Sequence, residues 1–154
     1  MDDINKHILR VLTRDGRISN LDLAERVGLS PSACLRRVQD LERRGVIAGY
    51  AAILNRAAIG VGFVAFVTVG LNSHTKISQE AFEAAMARAP EVVECHNITG
   101  AVEYLLRVEV ADLAAYKAFH TDILGVLPQV HAITSYVVMD TPKSSTATGR
   151  VSSA

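Results

Sequence analysis

The spacing of the apolar residues changes near residue 60 of this 154-residue chain. Before that point apolar side chains recur every three or four residues, which is the period of an α-helix. After it, segments with an apolar residue at every second position alternate with helical segments, and the alternation occurs twice. The change predicts a helical domain over residues 1–54, a linker over 55–61, an α+β domain over 62–140 and a Ser- and Thr-rich flexible tail over 141–154.

Composition and charge narrow the class of protein. Hydrophobic residues make up 49% of the chain, enough for packed cores, so wholesale disorder is excluded. Sixteen basic residues balance sixteen acidic ones over the whole chain. Residues 1–60 contain ten basic and seven acidic residues, a net charge of +3, whereas residues 61–154 contain six basic and nine acidic residues, a net charge of −3. The basic excess makes the front half the candidate for contact with nucleic acid. The overall balance permits self-association.

Nothing in the sequence points to export or to a membrane. Residues 1–6 lack the apolar core of a signal peptide, and the longest uncharged stretch falls short of the roughly 20 residues that span a bilayer. Cys34 and Cys95 lie far apart among apolar residues, where a reduced, buried thiol is usual. We therefore expect a cytoplasmic protein without disulfides or membrane contact.

Three short helices are predicted in the front half, each with start and stop signals. They run from Ile4 to Gly16, from the cap Ser19 to Gly28, and from the cap Ser30, followed by Pro31, to Gly45. Two helices joined by a tight glycine turn after a supporting helix are typical of a helix-turn-helix. The apolar, β-prone segment Val46–Leu54 is expected to form a strand pair or wing.

The third helix has a polar outer face. With Val38 at the centre of the buried side, a step of 100° per residue places the following residues outward: Ser32, Ala33, Arg36, Gln39, Asp40 and Arg43. In a helix-turn-helix this helix enters the major groove, so we expect Ser32, Arg36 and Gln39 to reach base edges. Arg17, Arg43 and Arg44 are expected to contact phosphates, with Arg37 and Ser30 beside them. The alternative is an ordinary solvated helix face.

The back half reads as a doubled β-α-β unit, the ferredoxin-like βαββαβ arrangement. The predicted strands are Phe63–Leu71, Val92–Thr99, Tyr104–Val110 and Val130–Met139. One predicted helix carries Phe82, Ala85, Met86 and Ala89, and the other follows the cap Asp112 and carries Leu113, Tyr116, His120 and Ile123. Helices on one side leave the other face of the sheet open, and we expect that face to pack on a second subunit.

The loop between the two middle strands contains groups suited to an amino acid ligand. It consists of Thr99, Gly100, Ala101, Val102, Glu103 and Tyr104. Backbone N–H groups beside Gly100 are expected to take a carboxylate, and Glu103 to pair with an ammonium group. A tight glycine loop with one exposed acid is also common for structural reasons alone.

Catalytic, metal and cofactor sites are not predicted. The five histidines, at positions 7, 74, 96, 120 and 131, lack the close spacing of metal sites. Cys95 and His96 are strand neighbours whose side chains point to opposite faces, so they do not form a nucleophile–base pair.

Taken together, the motifs resemble the Lrp/AsnC family of leucine-responsive and asparagine-linked transcription regulators. The resemblance runs essentially end to end. In the front half it rests on residues 15–19 (DGRIS), 23–31 (LAERVGLSP), 36–38 (RRV), 41–47 and 49–50. In the back half it rests on residues 92–95 (VVEC), 99–100, 104–108 (YLLRV) and 136–139 (YVVM).

The resemblance implies a DNA-binding regulator that forms dimers through its back domains, assembles into tetramers or octamers, and responds to a small effector, usually an amino acid. It places effector contacts around Thr99–Tyr104 and near the last strand, at Thr134 and Ser135. One departure stands out, because the family usually has Asp where this chain has Glu103, and the extra methylene moves the carboxylate. Two alternatives stay open: an architectural protein that bends or wraps DNA with little ligand control, and a ligand-binding or enzymatic ferredoxin-like domain with an incidental helical front end.

Overall fold

The computed structural model describes residues 1–144 and gives each half of the chain a hydrophobic core of its own. We call Met1–Ile53 the front unit and Leu54–Ser144 the back unit. Residues 55–61 lie in the back unit, where Ala57–Ile59 forms a 3-10 turn. Of the predicted tail, residues 141–144 carry no helix or strand, and residues from 145 onward lie outside the described part of the chain.

Three helices form the front unit, as predicted. They are α1, Asp3–Leu12; α2, Asn20–Val27; and α3, Pro31–Arg43. Each begins after a side chain that accepts a hydrogen bond from the first turn: Asp2, Ser19 and Ser30. Gly28 ends α2 with φ of 70°, a left-handed conformation that favours glycine. The shared core consists of Ile8, Leu23, Ala24, Val27, Cys34 and Leu41.

The strand pair predicted over Val46–Leu54 is wrong, since no strand forms there in the described chain. The backbone N–H groups of Val46 and Ile47 both donate to the carbonyl of Leu41, at 2.9 and 3.2 Å, so they finish the end of α3. Farther along, the Tyr50 hydroxyl donates to Glu42 at 2.9 Å. The segment is therefore tied back to the helix and has no partner strand within the front unit.

The back unit has the predicted βαββαβ order. Its elements are β1, Phe63–Leu71; α4, Lys76–Arg88; β2, Val92–Asn97; β3, Tyr104–Val110; α5, Leu113–Ala118; and β4, Val130–Val137. The strands pair in the order β2-β3-β1-β4, all antiparallel. β2 and β4 each end two residues earlier than predicted.

One face of this sheet is packed under the helices. Alternate residues of β1 and β3 point to it and are buried with side chains of α4 and of the segment after α5: Ala65, Val67, Val69, Leu71, Tyr104, Leu106, Val108, Phe82, Met86, Phe119 and Leu124. The other face carries Phe66 and Tyr136, both exposed. The predicted open face of the sheet is thus present in the back unit.

The length of α5 and the exposure of Cys95 differ from the predictions. α5 ends at Ala118 and continues as a π-helical turn over Phe119–Leu124, which buries Phe119 and Leu124, whereas Leu113 is exposed. Cys34 is buried as predicted, but Cys95 is exposed. β2 is an edge strand, so the helix-side face at Cys95 is only partly covered.

The N-cap Ser30 is expected to stabilise the protein. Ser30 Oγ accepts from the Ala33 N–H at 3.3 Å, so Ser30→Ala is expected to cost about 1 kcal/mol of unfolding free energy. Ser32→Ala is the matched control, because Ser32 is exposed and its hydroxyl accepts no backbone N–H within residues 1–144; it lies 3.3 Å from Ser30 Oγ. Urea unfolding measures both. Equal stability of the two variants would contradict a capping role for Ser30.

Ionisation of Tyr104 is expected to lower the stability of the protein at high pH. It is 1% exposed, and burial together with the hydrogen bond to Glu83 at 2.7 Å raises the pKa of Tyr104 to about 12. Between roughly pH 10, where a tyrosine ionises in the unfolded chain, and pH 12, only the folded state keeps the proton. Stability should fall there by up to about 1.4 kcal/mol per pH unit.

This fall is measured by urea unfolding at stepped alkaline pH. It should be absent in Tyr104→Phe and retained in Tyr136→Phe, which removes an exposed hydroxyl. A Tyr104→Phe protein with the unchanged alkaline slope would refute the assignment.

Candidate functional site

The outer face of α3 presents a polar stripe. Ser32, Arg36, Gln39 and Arg43 follow one another at intervals of four, three and four residues, which places them on one side of the helix. All four are exposed, while Cys34 and Leu41 on the opposite side are fully buried. Packing of the apolar side therefore turns this stripe to solvent.

The arginines on the outer side and at the end of α3 differ in whether they have hydrogen-bonding partners. Arg36 makes no hydrogen bond or ion pair within residues 1–144. Arg43 and Arg44, at the end of the helix, both hold Asp40, at 2.6 and 3.2 Å. These hydrogen bonds lower the pKa of the Asp40 carboxyl, but exposed pairs of this kind exchange easily for other partners. The stripe thus offers one free cation near its middle, Arg36, and one loosely held cation at its end, Arg43, with Arg44 beside it.

The other predicted DNA-contacting residues have varied surroundings. Ser30 is the N-cap and Ala33, half-buried, donates its N–H to it. Arg17 is exposed in the turn between α1 and α2. Arg37 is half-buried and points inward, where its guanidinium donates to Asp2 at 2.6 Å and to Asn5 at 3.0 Å. Arg37 therefore does not join the outer stripe.

The loop between β2 and β3 is held by its own backbone. Ile98 N–H donates to the Glu103 carbonyl at 2.8 Å, closing the loop, and Gly100 within it has φ of 149°, which favours glycine. Thr99, Gly100 and Ala101 are exposed, and Val102 is half-buried. The residues around Gly100 are therefore accessible from solvent.

Glu103 already has partners in the structure. Its Oε2 accepts from the Leu71 N–H at 2.6 Å, at the end of β1, and its Oε1 lies 2.9 Å from Nδ1 of His74. The Glu103 side chain is 16% exposed, whereas that of His74 is 77% exposed. One carboxylate oxygen is thus fixed to the sheet, and the other is held by a side chain that solvent can displace.

The remaining predicted effector residues are not gathered in one place. The Tyr104 side chain lies in the core against Phe82, on the helix side of the sheet. Ser135 pairs across from Val67 and its hydroxyl hydrogen-bonds the Tyr116 hydroxyl. Thr134 is on the open face, where it faces Leu105 across β1, about 10 Å away. Only the loop itself, Glu103 and the open-face Thr134 present polar groups outward.

The open face of the sheet also carries an ion network. Glu109 is 3% exposed and is held by Arg107 at 2.5 Å and by Arg56 at 3.2 Å. Arg107 also contacts Glu94, at 3.2 Å. A buried carboxylate with two cations satisfies its charge. The network fastens the turn at residues 56–61 to the sheet within the back unit.

Several partners in these sites carry little signal in the sequence. The pattern does not identify Asp2 and Asn5, which hold Arg37, although an Asp before a helix is a recognisable N-cap. The spacing of His74 fits no metal site and does not indicate that it is the partner of Glu103. In residues 1–144 no three His, Cys, Asp or Glu side chains are grouped to hold a metal, and no helix there is long and apolar enough to cross a membrane.

Comparison with known proteins assigns both halves of the chain. Residues 1–48 match the family model described as winged helix-turn-helix DNA-binding, and residues 64–148 match the Lrp/AsnC ligand binding domain. The leucine-responsive regulatory protein of Salmonella typhimurium is 43% identical over 145 residues, which cover 94% of this chain and 88% of the relative. The protein of that name from Escherichia coli K12 is 42% identical over the same coverage.

Solved structures agree with this assignment. A transcriptional regulator from Neisseria meningitidis, crystallised as a complex with L-methionine, superposes with a TM-score of 0.90 at 37% identity, over 94% of this chain and 93% of that one. An AsnC family regulator from Agrobacterium tumefaciens gives 0.88 at 35% identity, over 94% of each chain. The chain therefore belongs to the Lrp/AsnC family and is a ligand-responsive, DNA-binding regulator of transcription.

Proposed function

We propose that residues 1–54 bind double-stranded DNA with α3 in the major groove. Ser32, Arg36 and Gln39 read base edges, and Arg36 pairs with guanine O6 and N7, for which its guanidinium is suited. Arg17 and Arg43 contact phosphates, and Ser30 and Ala33 at the start of the helix lie beside the backbone. The observation that carries this assignment is the exposed stripe on α3, whose central cation, Arg36, has no partner among the described residues.

The effector site lies at the loop Thr99–Glu103 of the back domain, residues 62–140. We take the ligand to be an amino acid, because the Neisseria meningitidis relative was crystallised with L-methionine. Its carboxylate is bound by backbone N–H groups around Gly100. Its ammonium group takes the place of His74 at Glu103 Oε1, while Oε2 stays on the Leu71 N–H.

The functional unit is a homodimer that assembles further into tetramers or octamers. The open sheet face supports this proposal, because exposed Phe66 and Tyr136 lie there beside a charge network that is already satisfied. Thr134 and Ser135 lie on β4, the strand that also carries Tyr136, and Tyr104 supports the loop from the core. The protein acts in the cytoplasm without a cofactor and without a catalytic step.

In this proposal the effector controls DNA binding by shifting the protein between two states of assembly. An effector that binds one state more tightly shifts the population toward it, and its differential affinity for the two states sets the upper limit of the change in operator affinity. The test is fluorescence anisotropy on the upstream DNA of its own gene and on scrambled DNA, at two salt concentrations, with and without a pool of amino acids. The proposal is supported if the protein prefers the upstream DNA and the amino acid pool changes that preference. Equal and strongly salt-dependent binding to both DNAs would indicate an architectural protein instead.

Replacement of Arg36 tests base reading. Arg36→Ala is expected to lose about 1 to 3 kcal/mol of discrimination at one base pair, because the bidentate contact to guanine disappears. Anisotropy with single-base variants of the operator measures this loss. Arg88→Ala, an exposed arginine at the end of α4, is the control for loss of charge. Unchanged discrimination in Arg36→Ala would exclude this arginine from base contact.

Glu103 is tested with a variant that keeps its shape. Glu103→Gln retains an oxygen for the Leu71 N–H but removes the negative charge, so effector binding should weaken roughly 10- to 100-fold while DNA affinity without effector is unchanged. His74→Ala removes the competing side chain and should leave effector binding equal or tighter. Calorimetry with the effector found in the pool measures both. A Gln variant that still binds fully would overturn the ammonium contact.

A further inference from the structure

Arg37 occupies an inward position next to the polar stripe of α3. Its Nη1 donates to Asp2 Oδ2 at 2.6 Å and to Asn5 Oδ1 at 3.0 Å, so it joins α3 to the start of α1, more than thirty residues earlier. The side chain of Arg37 is 32% exposed and Asn5 as a whole is 8% exposed. These contacts lie at the edge of the front core.

The partners of Arg37 are themselves held in place. Asp2 Oδ1 accepts from the Asn5 N–H at 2.7 Å, so the two oxygens of this carboxylate serve the cap of α1 and the guanidinium separately. The Arg37 hydrogen bond lowers the pKa of Asp2, which stays ionised at neutral pH. Arg37 is thus bound to two acceptors at the start of α1, the buried Asn5 and the N-cap Asp2, whose side chain is 53% exposed.

Directional contacts of this kind set how α3 is turned about its own axis. Burial of Cys34 and Leu41 is non-directional and tolerates small rotations. A rotation of about 10° moves a guanidinium some 8 Å from the helix axis by about 1.5 Å, half the length of a hydrogen bond. Asn20 also holds the start of α3, by donating to the Pro31 carbonyl at 2.9 Å. Arg37 adds a directional contact between α3 and the start of α1, immediately beside Arg36.

We infer that Arg37 is a positioning residue for base recognition, with Asp2 and Asn5 as its anchor, and that it does not contact phosphate. The inference rests on the proposed role of α3 in the major groove. Asp2 offsets the charge of Arg37, so this pair adds little to the attraction of the front unit for DNA. What it contributes is the orientation of Arg36 and Gln39.

The two roles for Arg37 predict opposite effects of releasing it. Asp2→Ser keeps an N-cap of similar strength but is too short to reach the guanidinium. If Arg37 positions α3, this variant should bind the operator about fivefold more weakly and discriminate less against scrambled DNA. If Arg37 is a phosphate contact restrained by Asp2, the same variant should bind both DNAs more tightly.

Asp3→Ser is the matched control, because it removes the same charge one residue away, where the Asp3 carboxylate pairs with Lys6 and with no other side chain of residues 1–144. Arg37→Gln should lower operator affinity without changing the dependence on salt, whereas loss of a phosphate contact would reduce that slope by about 1. In the double variant the two effects should not add, since both break one contact. Circular dichroism and urea unfolding, run on each variant, restrict the comparison to folded protein.

The outcome separates this inference from the proposed function. Equal behaviour of Asp2→Ser and Asp3→Ser, with Arg36→Ala still impaired in discrimination, would overturn the positioning role alone. Normal discrimination by Arg36→Ala would overturn the proposed contact of α3 with bases, on which the positioning role depends. Additive effects of Asp2→Ser and Arg37→Gln would also contradict a shared contact.

Discussion

The back unit depends on β1 pairing along both of its edges. β1 binds β3 on one side and β4 on the other, although both strands come more than thirty residues later. This double pairing interleaves the two β-α-β units and buries alternate residues from Ala65 to Leu71 under the helices. It also brings the start of β3 to the end of β1, so that Glu103 meets the Leu71 N–H. Without that register the loop that we propose for the effector would have no fixed partner in the sheet.

Polar contacts then divide the charged side chains into those used within the fold and those left for a ligand. Arg37, Glu109 and one oxygen of Glu103 are engaged by neighbours in the same unit. Arg36 is unpaired within the described chain, and Glu103 Oε1 is held only by an exposed histidine. Since satisfied buried charges are costly to separate and exposed pairs are not, Arg36 and Glu103 Oε1 are the groups that we propose for recognition.

Much of the fold was predictable because its signals are local. The caps Ser19 and Ser30, the stop at Gly28 and the alternation in β1 and β3 depend on residues within a few positions of one another. Predictions failed where distant contacts decide. Val46–Leu54 has strand-like composition but no partner in its unit, so its first N–H groups return to α3. Cys95 is exposed because β2 lies at the edge of the sheet, and no local sequence pattern predicts which strand lies at the edge.

The sequence by itself determined most of the helices and strands and the family, because periodicity, capping and motif residues are read along the chain. It also identified the outer stripe of α3, since a helix with one apolar side must turn the other to solvent. Only the tertiary structure decided that Arg37 points inward, that Tyr104 lies in the core and that Glu103 is bound to Leu71 and His74. Those outcomes depend on pairings between residues about 20 to 35 positions apart, and the free energy of such a contact is set by burial and geometry that exist only after folding.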